Sequence, residues 1–327
     1  MKIAIVRLSA LGDIFQSMIV LQFIKSRYPS AQIDWFVDSL YEDALIGNRD
    51  IDNIISINLK NLKNNFSLRE FFKLIKKLKS CPTYDYIFDL QGLLKSAIVS
   101  RFIPARNRVG FDKNSIRESV ATLFYSKTFF IHYHENVIKR YIGIVNHSLN
   151  LKVTTEEILN KQPIFSYTKN TDITNRTCLI IIGASFESKI YPVEKFAKVI
   201  NTIGLDFIVS WKTPIEREMA IQLVSLTNRA KLSEGLDISG LKSQVANSLI
   251  VIGGDTGPTH LAWAMNVPSI TIFGPTPIER NFFRTEINDG IKSNSQVNAY
   301  KIKKNDFSIR DIHSDEICRL AKRILKL

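Results

Sequence analysis

Gly253-Gly254-Asp255-Thr256-Gly257-Pro258-Thr259-His260 is the stretch on which the fold reading turns. The apolar run Leu249-Ile250-Val251-Ile252 precedes it and reads as a buried strand. Leu261-Ala262-Trp263-Ala264-Met265 follows and reads as a helix. Pro258 suits the first helical position, where its missing N–H has no intrahelical acceptor anyway. The glycines are therefore expected at a strand-to-helix turn. Such a turn offers backbone N–H groups and the positive end of a helix dipole, a combination that holds an anion, most often a phosphate. A tight turn plainly capped by Thr256 or Gly257 is the competing reading. The strand Pro268 to Phe273, followed at once by Gly274-Pro275-Thr276-Pro277, favours the ligand site. Turns after successive parallel strands share one carboxyl edge, and that is where ligands bind.

Upstream the same rhythm continues. Cys178 to Ile182 reads as a strand, Val193 to Ile203 as a helix, Asp206 to Ser210 as a strand and Glu216 to Thr227 as a helix. Ser314 to Leu327 places Ile317, Leu320, Ala321, Ile324 and Leu325 at helical spacing, a terminal amphipathic helix. At the other end, Lys2 to Val6 is a strand, Ser9-Ala10-Leu11-Gly12-Asp13 a turn and Ile14 to Ser26 a helix. Ile33 to Val37, Ile54 to Ile57 and Tyr86 to Leu90 are further strands with helical stretches between them. Residues 152–176 are polar and rich in Thr and Asn, the best linker candidate. The expected class is α/β, with two Rossmann-like, doubly wound domains facing a central cleft. Their expected limits are residues 1–160, a linker at 161–176, and 177–327.

The chain has 327 residues, 45% of them hydrophobic, more than a single typical core accommodates. No apolar run approaches the ~18 residues of a membrane span. Arg7 and Asp13 interrupt what would be the apolar core of a leader. Cys81, Cys178 and Cys318 are scattered, form no metal or disulfide pattern, and suit a reducing cytoplasm. A net charge of +13 favours an anionic partner: nucleic acid, anionic lipid or a phosphorylated substrate. A compositional bias toward Lys, Asn and Ile would also produce it. The basic residues form no nucleic-acid motif, so no nucleic-acid partner is expected. Ser67-Leu68-Arg69-Glu70 has the capping-box pattern. The helix it opens carries Phe71, Phe72, Leu74, Ile75 and Leu78 with Lys73, Lys76, Lys77 and Lys79. One face belongs to a core. The other is either solvated or touches an anionic membrane surface.

Several side chains could carry chemistry. Asp13 is either an N-cap or a general base at the sheet edge, held ionised by the helix dipole. Lys189, beyond the turn Gly183-Ala184-Ser185, can reach a phosphate oxygen or sit solvated. Glu216, past Trp211-Lys212-Thr213-Pro214, can bind ribose hydroxyls or serve only as a first-turn helix carboxylate. His260 can donate to a phosphate from the first turn of its helix. His132 and His134 would point the same way from a strand but lack a third metal ligand. Asp50-Ile51-Asp52 has the DxD form of a sugar-nucleotide metal site, and a solvated turn explains it better. No Walker, nucleophile-elbow or GxGxxG pattern is present.

Arg7 to Asp13, Asp255 to Leu261 and Phe273-Gly274-Pro275-Thr276 together resemble the bacterial lipopolysaccharide heptosyltransferases, glycosyltransferase family nine. Within that family the likeness is to the transferases that add the first heptose. Asp89 to Ser96 and Ser119 to Tyr125 support it, and it spans nearly the whole chain. The resemblance implies a GT-B architecture, a peripheral place on the cytoplasmic face of the inner membrane, and inverting transfer without a metal or other cofactor. The donor would be ADP-heptose on the C-terminal half, and the acceptor Kdo-lipid A on the N-terminal half. Carried over by position, Asp13 falls on the catalytic base. Ser185, Lys189, Glu216, Leu236, Asp255, Thr256, Gly257 and His260 fall on donor-binding positions. Arg7, Lys95, Arg117, Asn136 and Arg140 fall on the acceptor side. Three positions depart from the family pattern. Ala184 replaces a hydroxyl residue, Asn136 stands where histidine is usual, and Pro258 lacks an N–H for the diphosphate.

Overall fold

A computed structural model describes residues 1–59, 67–167 and 177–327. The chain divides into two compact units, Met1–Phe165 and Ser166–Leu327. In the first, the elements run β1 (Lys2–Val6), α1 (Leu11–Ser17), α2 (Ile19–Arg27), β2 (Gln32–Asp38), β3 (Asn53–Ile57), α3 (Leu68–Lys79), β4 (Tyr84–Asp89), α4 (Leu94–Phe102), β5 (Ala105–Phe111), β6 (Lys127–Phe129), α5 (Val137–Leu149) and α6 (Thr155–Leu159). All strands are parallel, in the order β3-β2-β1-β4-β5-β6. Helices cover both faces of such a sheet, so its central strands are apolar throughout. Ile3 to Val6 of β1 are fully buried accordingly.

The second unit repeats the plan with β7 (Cys178–Ile181), α7 (Val193–Ile203), β8 (Phe207–Ser210), α8 (Pro214–Ser225), β9 (Ala230–Leu232), α9 (Ile238–Ala246), β10 (Val251–Gly254), α10 (Gly257–Ala264), β11 (Ser269–Phe273), α11 (Ile278–Asn281), β12 (Asn288–Lys292) and α12 (Ser314–Leu325). Its strands are also parallel, in the order β12-β11-β10-β7-β8-β9. Ile180, Ile252 and Ile270 from the sheet, Val199 and Ile200 from α7, and Ile317 and Ala321 from α12 share one core.

Each sheet reverses its winding once. In the first unit the chain builds outward from β1 through β2 to β3, then returns to build the other way from β4. In the second it builds from β7 to β9, then returns at β10. The crevices outside the carboxyl ends of β1 and β4, and of β7 and β10, are the topological switch points where open α/β sheets bind ligands.

Several elements differ from expectation. The first helix starts at Leu11 and breaks at Met18. The Ser17 hydroxyl donates to the Ile14 carbonyl at 3.0 Å, a local bond that competes with a continuous helix. Asp13 is therefore the third residue of α1, and Ala10 holds the N-cap. Gly253 and Gly254 belong to β10 rather than to the turn, and Pro258 is the second residue of α10. Ser67 makes no side-chain cap, although its carbonyl accepts from the Phe71 N–H as an N-cap residue's does. His132 and His134 lie in the loop after β6, not in a strand, since the chain there must turn into α5. The expected linker also begins later. Lys161, Ile164 and Phe165 are buried, with the Ile164 carbonyl accepting from Asn48 and Phe165 set edge-on to Phe15. Linker residues 168–176 lie outside the described residues. Cys178 and Cys318 are buried free thiols, and burial pushes Cys178 up to about 12. Among the described residues, no helix is long and apolar enough to cross a membrane.

Candidate active site

At the switch point of the first unit, the chain leaves β1 through Arg7 and enters α1, placing Asp13 at the sheet edge. Arg7 Nη2 lies 2.7 Å from Asp13 Oδ2, and Arg7 Nη1 donates to the Leu90 carbonyl at 2.7 Å. The Tyr141 hydroxyl, from α5, donates to Asp13 Oδ1 at 3.3 Å, and the Arg7 guanidinium lies over the Tyr141 ring. Burial disfavours the Arg7 charge, but Asp13, Tyr141 and Asp89 together outweigh it and raise the guanidinium's pKa. Arg7 is buried, whereas 39% of the Asp13 side chain is exposed. The carboxylate is thus fixed from behind and reachable from in front.

The loop after β4 braces this arrangement. Asp89 is fully buried, and burial raises its carboxyl pKa. It accepts from the Tyr125 hydroxyl at 2.7 Å and from the Gln91 and Gly92 N–H groups. Gln91 Oε1 in turn accepts from the Leu8 N–H at 2.9 Å, and Lys95 Nζ reaches the Ser9 hydroxyl at 2.9 Å. Arg117 is exposed in the loop after β5.

Two other acceptor-side candidates carry structural bonds. Asn136 caps α5 by accepting from the Ile138 N–H. Arg140 is buried between Phe111 and Tyr133 and donates to the carbonyls of Ser115, Ile131 and His132. These bonds hold the loop that carries His132 and His134. Asp52 is likewise occupied, accepting from Lys25 Nζ and the Ile33 N–H, so the Asp50-Ile51-Asp52 stretch is a structural turn. Among the described residues, no group of three His, Cys, Asp or Glu side chains is placed to hold a metal.

At the switch point of the second unit, Asp255 follows β10 directly. Its side chain is only 5% exposed and is ringed by Lys189 Nζ at 3.4 Å, His260 Nε2 at 2.8 Å and Asn281 Nδ2 at 3.2 Å. Burial would raise its carboxyl pKa, but Lys189 and His260 outweigh that and hold it far below the ordinary carboxylate range. The absence of a side chain at Gly254 makes this packing possible: a Cβ there would lie 2.7 Å from the Lys189 carbonyl. Ser188 and Thr256, chain neighbours of Lys189 and Asp255, have buried hydroxyls without a partner among the described residues. Native interiors seldom leave such groups unpaired, so a polar ligand suits this place.

Glu216 is the third residue of α8. Its Oε2 accepts from the Lys212 and Thr213 N–H groups while Thr213 caps the helix, so the capping role holds. The same carboxylate lies against Gly183, where a Cβ would come within 2.1 Å of it. Ser185 is exposed in the loop after β7, and Leu236 is half-buried after β9. Trp211 donates to the Ser233 carbonyl at 2.9 Å, and its ring edge lies beside Gly235, the residue before Leu236. The first-turn N–H groups at Gly257 and Thr259 have no acceptor within α10.

Tyr141, Gln91, Asn281 and Trp211 join these clusters without being singled out in the sequence. Gln91 lies in a stretch that carried a signal, Asp89 to Ser96. Asn281 was within reach of one, since its helix follows the second glycine turn. Tyr141 had none, because its partner is 128 residues away.

Comparison with known proteins identifies the family. Residues 71–307 match the family model described as glycosyltransferase family 9 (heptosyltransferase). The chain is 38% identical to lipopolysaccharide heptosyltransferase 1 of Campylobacter coli over 99% of both chains. It is 23% identical to lipopolysaccharide heptosyltransferase 1 of Escherichia coli K12, over 84% of this chain and 88% of that one. The fold is that of the E. coli heptosyltransferase WaaC determined with ADP, with a TM-score of 0.81 at 19% identity over 99% of this chain and all of the other. On these grounds the protein is a glycosyltransferase, and it belongs to glycosyltransferase family 9, the heptosyltransferases.

Proposed function

We propose that this chain moves L-glycero-D-manno-heptose from ADP-heptose onto a Kdo residue of Kdo-lipid A, in the lipopolysaccharide inner core. The relatives named above support the sugar and the pathway. The observation that carries the division of labour is the pair of switch-point clusters: a reachable, cation-backed Asp13 in one unit and the Lys189–Asp255–His260 cluster in the other.

In this reading the Asp13 carboxylate takes the proton of an acceptor hydroxyl as that oxygen bonds to heptose C1. The bond from C1 to the diphosphate breaks, and ADP leaves with the electron pair from the opposite face, so the anomeric centre inverts. Arg7 and Tyr141 hold Asp13 in position. Negative charge grows on the leaving diphosphate, where Lys189, Ser185 and the start of α10 at Thr256 and Gly257 meet it. With that charge supplied by the protein, the reaction calls for no metal. His260 orients Asp255, which faces heptose hydroxyls. Glu216 binds the ribose, with Leu236 and Trp211 beside the adenine. Lys95 and Arg117 give the acceptor side its positive charge, suited to Kdo carboxylates and lipid phosphates, while Arg140 and Asn136 fix the loop beside them. The protein then works as a peripheral enzyme on the cytoplasmic face of the inner membrane.

The test is incubation with ADP-heptose and Kdo-lipid A in EDTA, followed by mass spectrometry. ADP and a lipid heavier by one heptose are expected. Bound ADP-heptose without transfer would move the acceptor to another core sugar. No binding of any ADP-sugar would overturn the donor site, and an absolute need for Mg²⁺ would overturn the metal-free route.

A further inference from the structure

Helix α3 carries a feature that the transfer reaction does not use. Leu78 is buried in the first unit's core, with Leu74 packed against it, and Lys77 Nζ is tied to the Ser56 carbonyl at 2.7 Å. The other flank is open. Leu68 and Phe72 are each 63% exposed, more than a helix needing only a solvated face would leave in water. At 100° per residue, Leu68, Phe72, Lys76 and Lys79 form one stripe at i, i+4, i+8 and i+11, with Arg69 and Lys73 alongside. None of these four cations has an ion-pair partner among the described residues, and Glu70 is the helix's single acid.

We propose that this flank of α3 docks the enzyme on an anionic phospholipid surface, with Leu68 and Phe72 entering the headgroup boundary and Arg69, Lys73, Lys76 and Lys79 lying among the phosphates. The inference deepens the peripheral membrane location proposed above and rests on that reading. Charge complementarity identifies the occupant. Each cation near an anionic leaflet raises partitioning roughly fivefold, and exposed Phe and Leu beside Lys and Arg form the pattern of an interfacial helix. A polyanion such as nucleic acid would use the cations but has no need of Leu68. Topology adds a second reason. A helix that follows a strand of a parallel sheet begins at the sheet's carboxyl edge, so Leu68 and Phe72 lie toward the edge that carries Asp13 and Lys95. A lipid-anchored acceptor would be presented at that edge.

Vesicle flotation of the full chain, without donor or acceptor, tests this separately from the transferase reading. Wild type should float with phosphatidylglycerol–phosphatidylethanolamine vesicles and not with pure phosphatidylcholine. L68S/F72S and K73Q/K76Q should each lower partitioning at least tenfold. Both variants should keep the wild-type melting temperature and turn over a short-chain, soluble acceptor at the wild-type rate. Wild type that ignores anionic vesicles overturns the proposal, as do variants that bind like wild type. Binding lost with K73Q/K76Q but retained with L68S/F72S also rejects it, because a purely electrostatic contact, with membrane or polyanion alike, does not need the apolar pair.

Discussion

Asp13 and Asp255 each stand at a switch point of a six-stranded parallel sheet, and each has a cation beside it. They differ in access. The Asp13 side chain is 39% exposed and backed from one side by Arg7. The Asp255 side chain is 5% exposed and enclosed by Lys189, His260 and Asn281. A carboxylate that gains and loses a proton in each turnover must be reached by the substrate. One that sets the position of a cation and a sugar works best when its charge never changes. One architecture thus offers the same residue type in two settings suited to opposite tasks.

The largest effect that could break this comparison is on turnover. Asp13→Asn should lower kcat by about 10³, the loss expected when a positioned base is removed. Rapid-quench assays at saturating donor measure it, and a loss under tenfold would return Asp13 to a structural role. Asp255→Asn should act on binding and stability instead. It leaves Lys189 buried beside a neutral amide, at a cost of about 3 kcal/mol, and ADP affinity should fall at least tenfold. The pH dependence has a defined sign. Because the folded-state pKa of Asp255 is depressed, its contribution is present above the unfolded value near ~4 and is lost as pH falls below it. Acid unfolding of the variant should therefore begin from a lower plateau and fall less steeply below about pH 4.

Smaller changes sharpen the comparison. Gly183→Ala puts a methyl group where the Glu216 carboxylate lies. The donor KM should rise about tenfold with kcat nearly unchanged, since the chemistry at Asp13 is untouched. The smallest effect belongs to Lys161, whose burial lowers its ammonium to about 7. A lysine less basic in the folded chain than in the unfolded one, near ~10.4, makes stability rise with pH across that window. Lys161→Met should flatten the rise in melting temperature between pH 7 and 10 and leave ADP binding alone.

The sheets and the placing of Asp13, Lys189 and Asp255 past strand ends were legible because hydrophobic period and turn chemistry are local. What joins the sites was not. Tyr141 reaches Asp13 from 128 residues away, and Asn281 reaches Asp255 across 26. The glycines of β10 were misplaced by two residues, because what selects them is close packing on Lys189 and Ile181, which no local pattern encodes. Arg140 fell on the acceptor side by resemblance, and only the fold reveals its aromatic sandwich and three carbonyl partners.

Calorimetric titration of ADP into Asp13→Asn and Asp255→Asn, side by side with wild type, tests the division of labour most directly. The account predicts wild-type affinity for Asp13→Asn and at least tenfold weaker binding for Asp255→Asn. Equal affinities in the two variants, or the weaker binding in Asp13→Asn, would contradict it.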